Sequence, residues 1–168
     1  GDAVAKTNLA WCDWNGTGVE QDAAKAVQWY LKAAEQGHAE AQFNLADCYE
    51  DGTGVEQDAA KAVDWYLKAA DQGYAEAQTN LANCYMHGTG VEQDAAKAVQ
   101  WYLKAAEQGH AEAQTNLAVC YAIGTGVEQD AEKVVEWFLK AAEQGDADAQ
   151  YNLGLCYKYG TGVEQDAA

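Results

Sequence analysis

The sequence predicts an all-α fold in which short helices form antiparallel pairs and stack into a solenoid. The nine letters GTGVEQDAA occupy 16–24, 52–60, 88–96 and 160–168, and the copy at 124–132 differs only in its last letter. The chain therefore repeats every 36 residues, and apolar residues recur at helical spacing between the copies. A unit this small buries its apolar face only against its neighbours, so about nine helices are expected in one domain.

Each repeat contains a loop, a helix, a tight turn and a second helix, as residues 52–87 illustrate. Asp58 is a good N-cap because its side chain can accept hydrogen bonds from the free amides of the first turn. Gly73 can adopt the left-handed conformation that ends a helix. Between them, helical spacing is followed by Ala62, Val63, Tyr66, Leu67 and Ala70.

A second helix is predicted over about 75–86, and Gly88 and Gly90 end it. Its predicted buried stripe consists of Ala77, Leu81, Cys84 and Tyr85. The loop residue Val91 is expected to fill the gap between the helices. GTGVEQDAA is thus a loop and the first turn of a helix, repeated because each repeat turns the same corner.

Three motifs follow one another in AEAQTNLANCYMHGTGVEQDAAKAVQWYLKAAEQG, residues 75–109. They are a small-Leu-small-x-x-Tyr helix end at 80–85, a Gly-x-Gly-Val loop at 88–91 and an Ala-Ala-Glu-Gln-Gly exit at 105–109. In these motifs the chain resembles the Sel1-like repeat family, which is related to the tetratricopeptide repeat. The resemblance implies a right-handed α-solenoid, 1–168, whose first helices line a concave, partner-binding side. Its repeats would be 1–37, 38–73, 74–109, 110–145 and a partial repeat, 146–168.

One cysteine occurs at the same phase of every repeat: Cys12, Cys48, Cys84, Cys120 and Cys156. Equivalent atoms of stacked helices lie on the order of 10 Å apart. A disulfide needs Cα atoms within roughly 7 Å of each other. We therefore expect five buried, reduced thiols, which are consistent with cytoplasmic or recombinant expression and leave the native compartment open.

Four columns of residues on the family's first helix change their chemistry from repeat to repeat. With spacing i, i+4, i+7 and i+8, they occupy one helix face about 100° wide. We call these columns the variable face: Thr7, Phe43, Thr79, Thr115 and Tyr151; Trp11, Asp47, Asn83, Val119 and Leu155; Trp14, Glu50, Met86, Ala122 and Lys158; Asn15, Asp51, His87, Ile123 and Tyr159. A packing column would not tolerate such changes, so we interpret the variable face as ligand-binding. The alternative is variation of a solvent-facing surface.

The variable face is aromatic near Trp11, acidic near Asp47 and apolar or phenolic near Ile123. An extended peptide or protein segment with a basic residue flanked by apolar ones would suit it. Beside this face, one asparagine recurs in every repeat: Asn8, Asn44, Asn80, Asn116 and Asn152. This ladder either bonds the main chain of a peptide or makes hydrogen bonds that hold the repeats together.

Other functions are disfavoured by the composition. A net charge of −17 argues against binding nucleic acid, whose phosphates require basic side chains. No apolar run is long enough for a membrane span. The chain contains no serine or arginine, and no histidine or cysteine spacing is typical of a metal site. We therefore expect no enzymatic activity, cofactor or metal.

Two hypotheses remain, a peptide-binding module and a consensus-like scaffold, engineered or recently amplified, without a dedicated ligand. The histidines His38 and His110 share a junction column with Tyr74 and Asp146, which we interpret as surface variation. The apolar stripe of the last full helix, with Leu153, Cys156 and Tyr157, is expected to be poorly covered. Weak end-to-end self-association of the chain would follow.

Overall fold

The computed structural model describes residues 2–15 and 22–163, except for the side chain of Cys12. Within these residues the chain forms nine helices and no strand, and the closest helix contacts join consecutive helices. They are α1 (Ala3–Asn15), α2 (Ala23–Ala34), α3 (Ala39–Asp51), α4 (Ala59–Asp71), α5 (Ala75–His87), α6 (Ala95–Glu107), α7 (Ala111–Ile123), α8 (Ala131–Glu143) and α9 (Ala147–Tyr159). The predicted all-α repeat fold is confirmed. Most of the first GTGVEQDAA copy and the end of the last lie outside the described residues.

The helix ends lie where the capping residues predict them. Asp58 accepts a hydrogen bond from the backbone N–H of Lys61 at 3.0 Å, and the aspartates before α2, α6 and α8 do the same. Gly88 ends α5 in the left-handed region, with φ of 73°. Gly73 follows α4 with φ of 89°. Since these caps recur in each repeat, eight of the nine described helices have 13 residues, and α2 has 12.

The core consists mainly of small side chains, which allows the helices to pack closely. The α4 and α5 helices illustrate this, with Ala62, Val63, Tyr66, Ala69 and Ala70 buried on α4 and Ala77, Leu81, Ala82 and Cys84 buried on α5. Val91 packs against this cluster as predicted. Tyr85 is only half-buried, because its ring lies on the outer side of the core, where the Lys97 ammonium approaches it at 5.4 Å.

Buried glutamines link each repeat to the next. Gln78 donates a hydrogen bond from Nε2 to the carbonyl of Ala70 at 3.0 Å, and its own Oε1 accepts one from Gln108 at 2.7 Å. Gln42 and Gln114 make the same pair of contacts. Each of these glutamines therefore bonds a carbonyl at the end of the preceding repeat and a glutamine that follows the second helix of its own repeat.

The described cysteines are buried and free, in agreement with the prediction: Cys48, Cys84, Cys120 and Cys156. Burial raises the pKa of the Cys48 and Cys84 thiols to about 12 and that of Cys120 to about 11. These groups behave as small apolar side chains at neutral pH. No described helix has the length and hydrophobicity that a membrane crossing requires.

Candidate interaction face

Three of the four variable columns line cavities that open between successive odd-numbered helices. We call these three columns the open face; they begin with Trp11, Trp14 and Asn15, and their other members are Asp47, Glu50, Asp51, Asn83, Met86, His87, Val119, Ala122, Ile123, Leu155, Lys158 and Tyr159. The first cavity, about 360 Å³, lies between α1 and α3. The second, about 230 Å³, lies between α5 and α7, and the third, about 300 Å³, between α7 and α9.

The first cavity combines indole rings with carboxylates. Trp11 and Trp14 line it from α1, and Asp47 and Asp51 line it from α3. Its other lining residues are Asn15, Tyr30, Glu40, Asn44 and Cys48. Burial raises the pKa of Tyr30 to about 12. The charged residues that line this cavity, Glu40, Asp47 and Asp51, are all acidic, an arrangement that attracts a cation.

The second and third cavities are mainly apolar and adjoin one another. Val119 and Ile123 line both of them. Open-face residues Asn83, Met86 and His87 complete the α5 side of the second cavity, and Ala122, Leu155 and Tyr159 line the third. Ile123 and Tyr159 are each 65% exposed, so their apolar surface is accessible to a partner. Lys158 is exposed on α9, and its ammonium lies 5.1 Å from the Tyr159 ring.

Between the first and second cavities, two carboxylates of α3 share the hydroxyl of one tyrosine. The Tyr66 hydroxyl lies 2.6 Å from Asp47 Oδ1 and 2.6 Å from Glu50 Oε2. It has a single proton to donate, so only one of the two carboxylates can accept from it at a time. Burial, aided by the charges of Glu50 and Asp51, raises the pKa of Asp47 to about 6.

In α4, α6 and α8, the residue at the tyrosine position matches the open-face residue that lies 19 positions earlier in the chain. Tyr102 in α6 donates its hydrogen bond to Asn83, which occupies the position of Asp47 one repeat later. In the next repeat the open-face residue is Val119, and the tyrosine is replaced by Phe138, which lines the same cavity. The hydroxyl thus bonds a polar open-face residue in α4 and α6 and is absent in α8, where that residue is Val119, whereas Tyr30 in α2 keeps its hydroxyl although its counterpart is Trp11.

The asparagine ladder has different roles in different repeats. Asn80 Nδ2 donates to the Tyr66 hydroxyl oxygen at 3.1 Å and lies 3.5 Å from Asp47 Oδ1, an inter-repeat bond. Asn152 donates to the carbonyl of Asp148 in its own helix. Asn44 and Asn116 line the first and second cavities, and Asn8 is exposed on α1. The structural interpretation therefore describes Asn80, whereas Asn44 and Asn116 line cavities.

Asp47→Asn is expected to stabilise the protein at pH 8 and to have little effect at pH 4. The pKa of this carboxyl is about 6 when folded, against an ordinary 3.8, so folding disfavours its charged form. Wild-type stability should therefore fall as pH rises from about 4 through 6. The variant should avoid this loss, gaining on the order of 1 kcal/mol at pH 8. Thermal unfolding at pH 4, 6 and 8 measures the effect.

The matched control for this prediction is Asp64→Asn, which removes an exposed aspartate of α4. Its difference from the wild type should stay nearly constant over the same pH range. A gain for Asp47→Asn that is equally large at pH 4 would contradict the charge-burial explanation.

The first variable column differs from the prediction, because most of it is buried at the junctions between repeats. Thr7, Thr79 and Thr115 are 4%, 1% and 8% exposed. Each lies beside a residue 31 positions further along the chain: Thr7 Oγ1 is 3.2 Å from His38 Nδ1, Thr79 Oγ1 is 3.0 Å from His110 Nδ1, and Thr115 Oγ1 donates to Asp146 Oδ1 at 3.1 Å. These threonines hold neighbouring repeats together and do not line the cavities.

Phe43 occupies the same junction position in α3 but has an aromatic neighbour. Its ring centroid lies 5.3 Å from that of Tyr74 and 6.0 Å from that of Tyr66. Tyr151, the last member of the column, is 68% exposed. The interpretation of His38, Tyr74, His110 and Asp146 as surface variation was therefore wrong: a polar residue faces each threonine and an aromatic residue faces Phe43. The sequence did contain a signal for these contacts: the only aromatic residue among the first four members of the first variable column, Phe43, pairs with the only tyrosine of the junction column, Tyr74.

Asp13 is a second position where one repeat differs from the others and where the residue in contact with it explains the difference. Tyrosine occupies its position in the other repeats, and the Lys61 ammonium lies 5.3 Å from the Tyr49 ring. Asp13 is 4% exposed, and its Oδ1 lies 3.1 Å from Lys25 Nζ. Lys25 is the equivalent of Lys61 in the first repeat, and it forms an ion pair with Asp13 in place of the contact between lysine and tyrosine ring.

Comparison with known proteins identifies a repeat family that matches nearly the whole chain. The sequence model of the Sel1 repeat family matches residues 3–38, 39–74, 75–110, 111–146 and 147–168. These segments begin one or two residues after the predicted ones. Among curated protein sequences, none matches the chain.

Several solved structures are similar to the chain over most of its length. A Sel1 repeat protein from Oxalobacter formigenes is 40% identical with a TM-score of 0.93, covering 98% of this chain and 68% of its own. A protective antigen of uropathogenic Escherichia coli strains, which displays an SLR fold, is 41% identical with a TM-score of 0.95, covering 98% of this chain and 35% of its own. The cysteine-rich protein B of Helicobacter pylori is 27% identical with a TM-score of 0.63. The match covers 82% of this chain and 99% of that protein.

Proposed function

The chain belongs to the Sel1 repeat family, whose members are generally protein-interaction modules, and we propose that its open face binds a peptide or protein segment. The segment carries a basic residue and apolar residues, and binding involves no catalysis. The observation that supports this most is the gradient of the three cavities. Residues of the open-face columns line all three, and their chemistry changes from acidic and aromatic at α1 to apolar at α9.

The energetic basis of such binding is available on this face. Aromatic side chains carry much of the binding energy of protein interfaces. Trp11 is 55% exposed, so its indole can be buried further by a ligand. Carboxylates beside it, such as Asp51, supply the charge that a basic side chain needs. Buried residues that recur between repeats, such as Cys48 and Cys120, line the cavities beside the variable residues.

The experiment is the panning of a random peptide library on the protein and on a variant of its open face. The variant replaces four exposed residues by alanine: Trp11, Asp51, Ile123 and Tyr159. It leaves the buried threonines of the junctions intact. The matched control replaces four exposed residues of even-numbered helices, Gln28, Asp64, Gln100 and Leu139. A shared basic-and-apolar motif should be enriched on the wild type and the control, but not on the open-face variant.

The result also separates the binding module from the scaffold hypothesis. The scaffold hypothesis rests on the near identity of the repeats outside the variable columns. Enrichment of no motif, or of the same motif on all three proteins, would favour a scaffold without a ligand on this face.

Self-association of the chain stays a prediction with its own test. Tyr157 is 41% exposed on α9, beside the half-buried Leu153. Burial of this surface between two copies would stabilise a weak complex at high concentration. Sedimentation velocity should show a concentration-dependent increase in the sedimentation coefficient. A monomer at all concentrations would contradict the prediction.

A further inference from the structure

We infer that the first cavity is a proton-coupled cation site, in which the basic side chain of the partner binds Asp47 in exchange for a proton that Asp47 shares with Tyr66 and Glu50. This inference rests on the proposed function and specifies how binding at that site is regulated. Two observations support it: the short contacts of the Tyr66 hydroxyl, and the position of Asp47 between that hydroxyl and the cavity.

The two short contacts of the Tyr66 hydroxyl require more than one proton. Its oxygen lies 2.6 Å from Asp47 Oδ1 and 2.6 Å from Glu50 Oε2, distances typical of hydrogen bonds between a hydroxyl and a carboxylate. The hydroxyl proton occupies one of these contacts. In the other, an ionised carboxylate would face the hydroxyl oxygen with no hydrogen between them, which is repulsive. The geometry therefore fits a second proton, carried by one of the two carboxyl groups and donated to the hydroxyl oxygen.

Asp47 is the carboxyl group that carries this second proton. Burial, aided by the charges of Glu50 and Asp51, raises its pKa to about 6. The side-chain amide of Asn80 donates to the same hydroxyl oxygen at 3.1 Å. With Asp47 protonated, the hydroxyl donates to Glu50 and accepts from Asp47 and Asn80, so each of its three contacts contains a hydrogen.

The other titratable groups around Asp47 are all acidic. They are Tyr30 on α2, Glu40, Cys48, Glu50 and Asp51 on α3, Tyr66 on α4 and Tyr74 immediately before α5. Burial raises the pKa of Tyr30 and Cys48 to about 12. It also raises the pKa of Tyr66 and Tyr74 above the ordinary value, so these four groups are uncharged at pH 8 and below. The α1 residues that line the cavity are two tryptophans and an asparagine, so a positive charge beside Asp47 must come from a ligand.

Asp47 also faces the cavity in which such a ligand would lie. Its Oδ1 is bonded to Tyr66 and approaches Asn80, and within the described residues its Oδ2 makes no hydrogen bond. Asp47 lines the cavity together with the rings of Trp11 and Trp14. A guanidinium group in the cavity can therefore donate to Oδ2 while an indole ring stabilises its charge. Protonation of Asp47 removes the negative charge that this contact requires.

Binding and proton release form a single exchange. A cation beside Asp47 favours the ionised form of this carboxyl group. The proton leaves Asp47 for the solvent, and the Tyr66 hydroxyl then donates to one of the two carboxylates. One positive charge enters for each proton that leaves. Since the carboxyl group has a pKa of about 6 in the empty site and a lower pKa beside a cation, affinity should decrease as the pH falls through 6.

The experiment measures the binding of Nα-acetylarginine amide from pH 5 to pH 8 by NMR, through the indole N–H signals of the tryptophans. Its uncharged isostere, Nα-acetylcitrulline amide, is the control probe. The Kd of the arginine probe should rise about tenfold between pH 8 and pH 5, as expected where a group with a pKa of about 6 must lose its proton. A Kd that does not change with pH, or equal binding of the citrulline probe, would overturn the inference.

Three variants separate Asp47 from the rest of the cavity. Asp47→Asn should bind the arginine probe more weakly at pH 8, and its Kd should change by less than about twofold down to pH 5. Asp51→Asn is the matched control, since it also removes a carboxylate from the cavity, and it should keep most of the tenfold change. Glu50→Gln leaves the Tyr66 hydroxyl to Asp47 and should move the midpoint of the pH dependence to lower pH. An unchanged pH dependence in Asp47→Asn would contradict the exchange.

The failure of this inference differs from the failure of the proposed function. Library panning tests the open face without reference to a proton, whereas the pH series tests only the exchange at Asp47. Absence of probe binding at pH 8 would overturn the cation site, even where the library yields peptides that require the open face. If the library also yields no ligand for that face, the proposed function fails with it.

Discussion

Gly90→Ala is expected to lower the melting temperature by about 6–12 °C, which corresponds to about 3 kcal/mol for a chain of this size. Gly90 has a φ of 70°, where a residue with a Cβ is strained. A Cβ added there would also lie 2.2 Å from the carbonyl oxygen of Ala59, the first residue of α4. Neither the added Cβ nor the carbonyl oxygen can rotate away as the end of a flexible side chain would. The loop must therefore move away from the helix. Thermal unfolding followed by circular dichroism measures the loss.

Gly73→Ala is the matched control, because Gly73 has a φ of 89° but no atom within 4 Å of an added Cβ. Only the left-handed conformation is strained there, at a cost of about 1–2 kcal/mol. Its melting temperature should therefore fall clearly less than that of Gly90→Ala. Similar losses for the two variants would show that the contact with Ala59 contributes little.

The close approach of Gly90 to Ala59 gives a second reason why the GTGVEQDAA motif recurs, in addition to the turn that it forms between two helices. Gly54 and Gly126 approach the backbone of Ala23 and Ala95 in the same way. In the described residues, the second glycine of a copy thus packs on the helix start of the preceding copy, as Gly54, Gly90, Gly126 and Gly162 do. Loop and helix start must both be kept in successive repeats, since each forms one half of the contact between them.

The fold could be predicted from the sequence because its determinants are local and periodic. Asp58 and Gly73 delimit one helix, and Gly88 ends the next. Repetition every 36 residues then fixes the stacking, since each unit meets the same neighbour. The loop contact of Gly90 was not predicted, because its partner lies 31 residues earlier in the chain.

The candidate site was predicted less completely for the same reason. Helical spacing places the four variable columns on one face of each odd-numbered helix, but it could not show that the next repeat covers one edge of that face. Thr79 and Asn83 are one helical turn apart, yet Thr79 is buried against His110 and Asn83 lines an open cavity. The change from Tyr102 to Phe138 is likewise explained only by the open-face residue beside it, which is Asn83 for Tyr102 and Val119 for Phe138.

Thr79→Phe is expected to destabilise the protein by about 3 kcal/mol, because it places a ring in a filled junction. Thr79 is 1% exposed and also donates a hydrogen bond to the carbonyl of Ala75. His110→Tyr alone should cost about 1 kcal/mol, since it removes the side-chain cap on the N–H of Ala113. Thermal and chemical unfolding give both values.

The double variant Thr79→Phe/His110→Tyr should be more stable than Thr79→Phe alone. It reproduces the pair of the preceding junction, where the rings of Phe43 and Tyr74 lie 5.3 Å apart with an interplanar angle of 41°. A buried tyrosine occupies the equivalent position in the even-numbered helix of each repeat, Tyr66 in α4 and Tyr102 in α6, so the surroundings of the two junctions are comparable. The two substitutions should be coupled by about 2 kcal/mol in a double-mutant cycle.

The reverse exchange, Phe43→Thr with Tyr74→His, provides the reciprocal control. Phe43→Thr should lose the contacts of its ring with Tyr66 and Tyr74, and Tyr74→His should restore part of the stability through a threonine–histidine contact like that of Thr79 and His110. Additive free energies in both cycles would mean that the columns vary independently. Coupling in both would mean that each repeat is matched to its successor, so the order of the repeats is fixed by their junctions as well as by the open face.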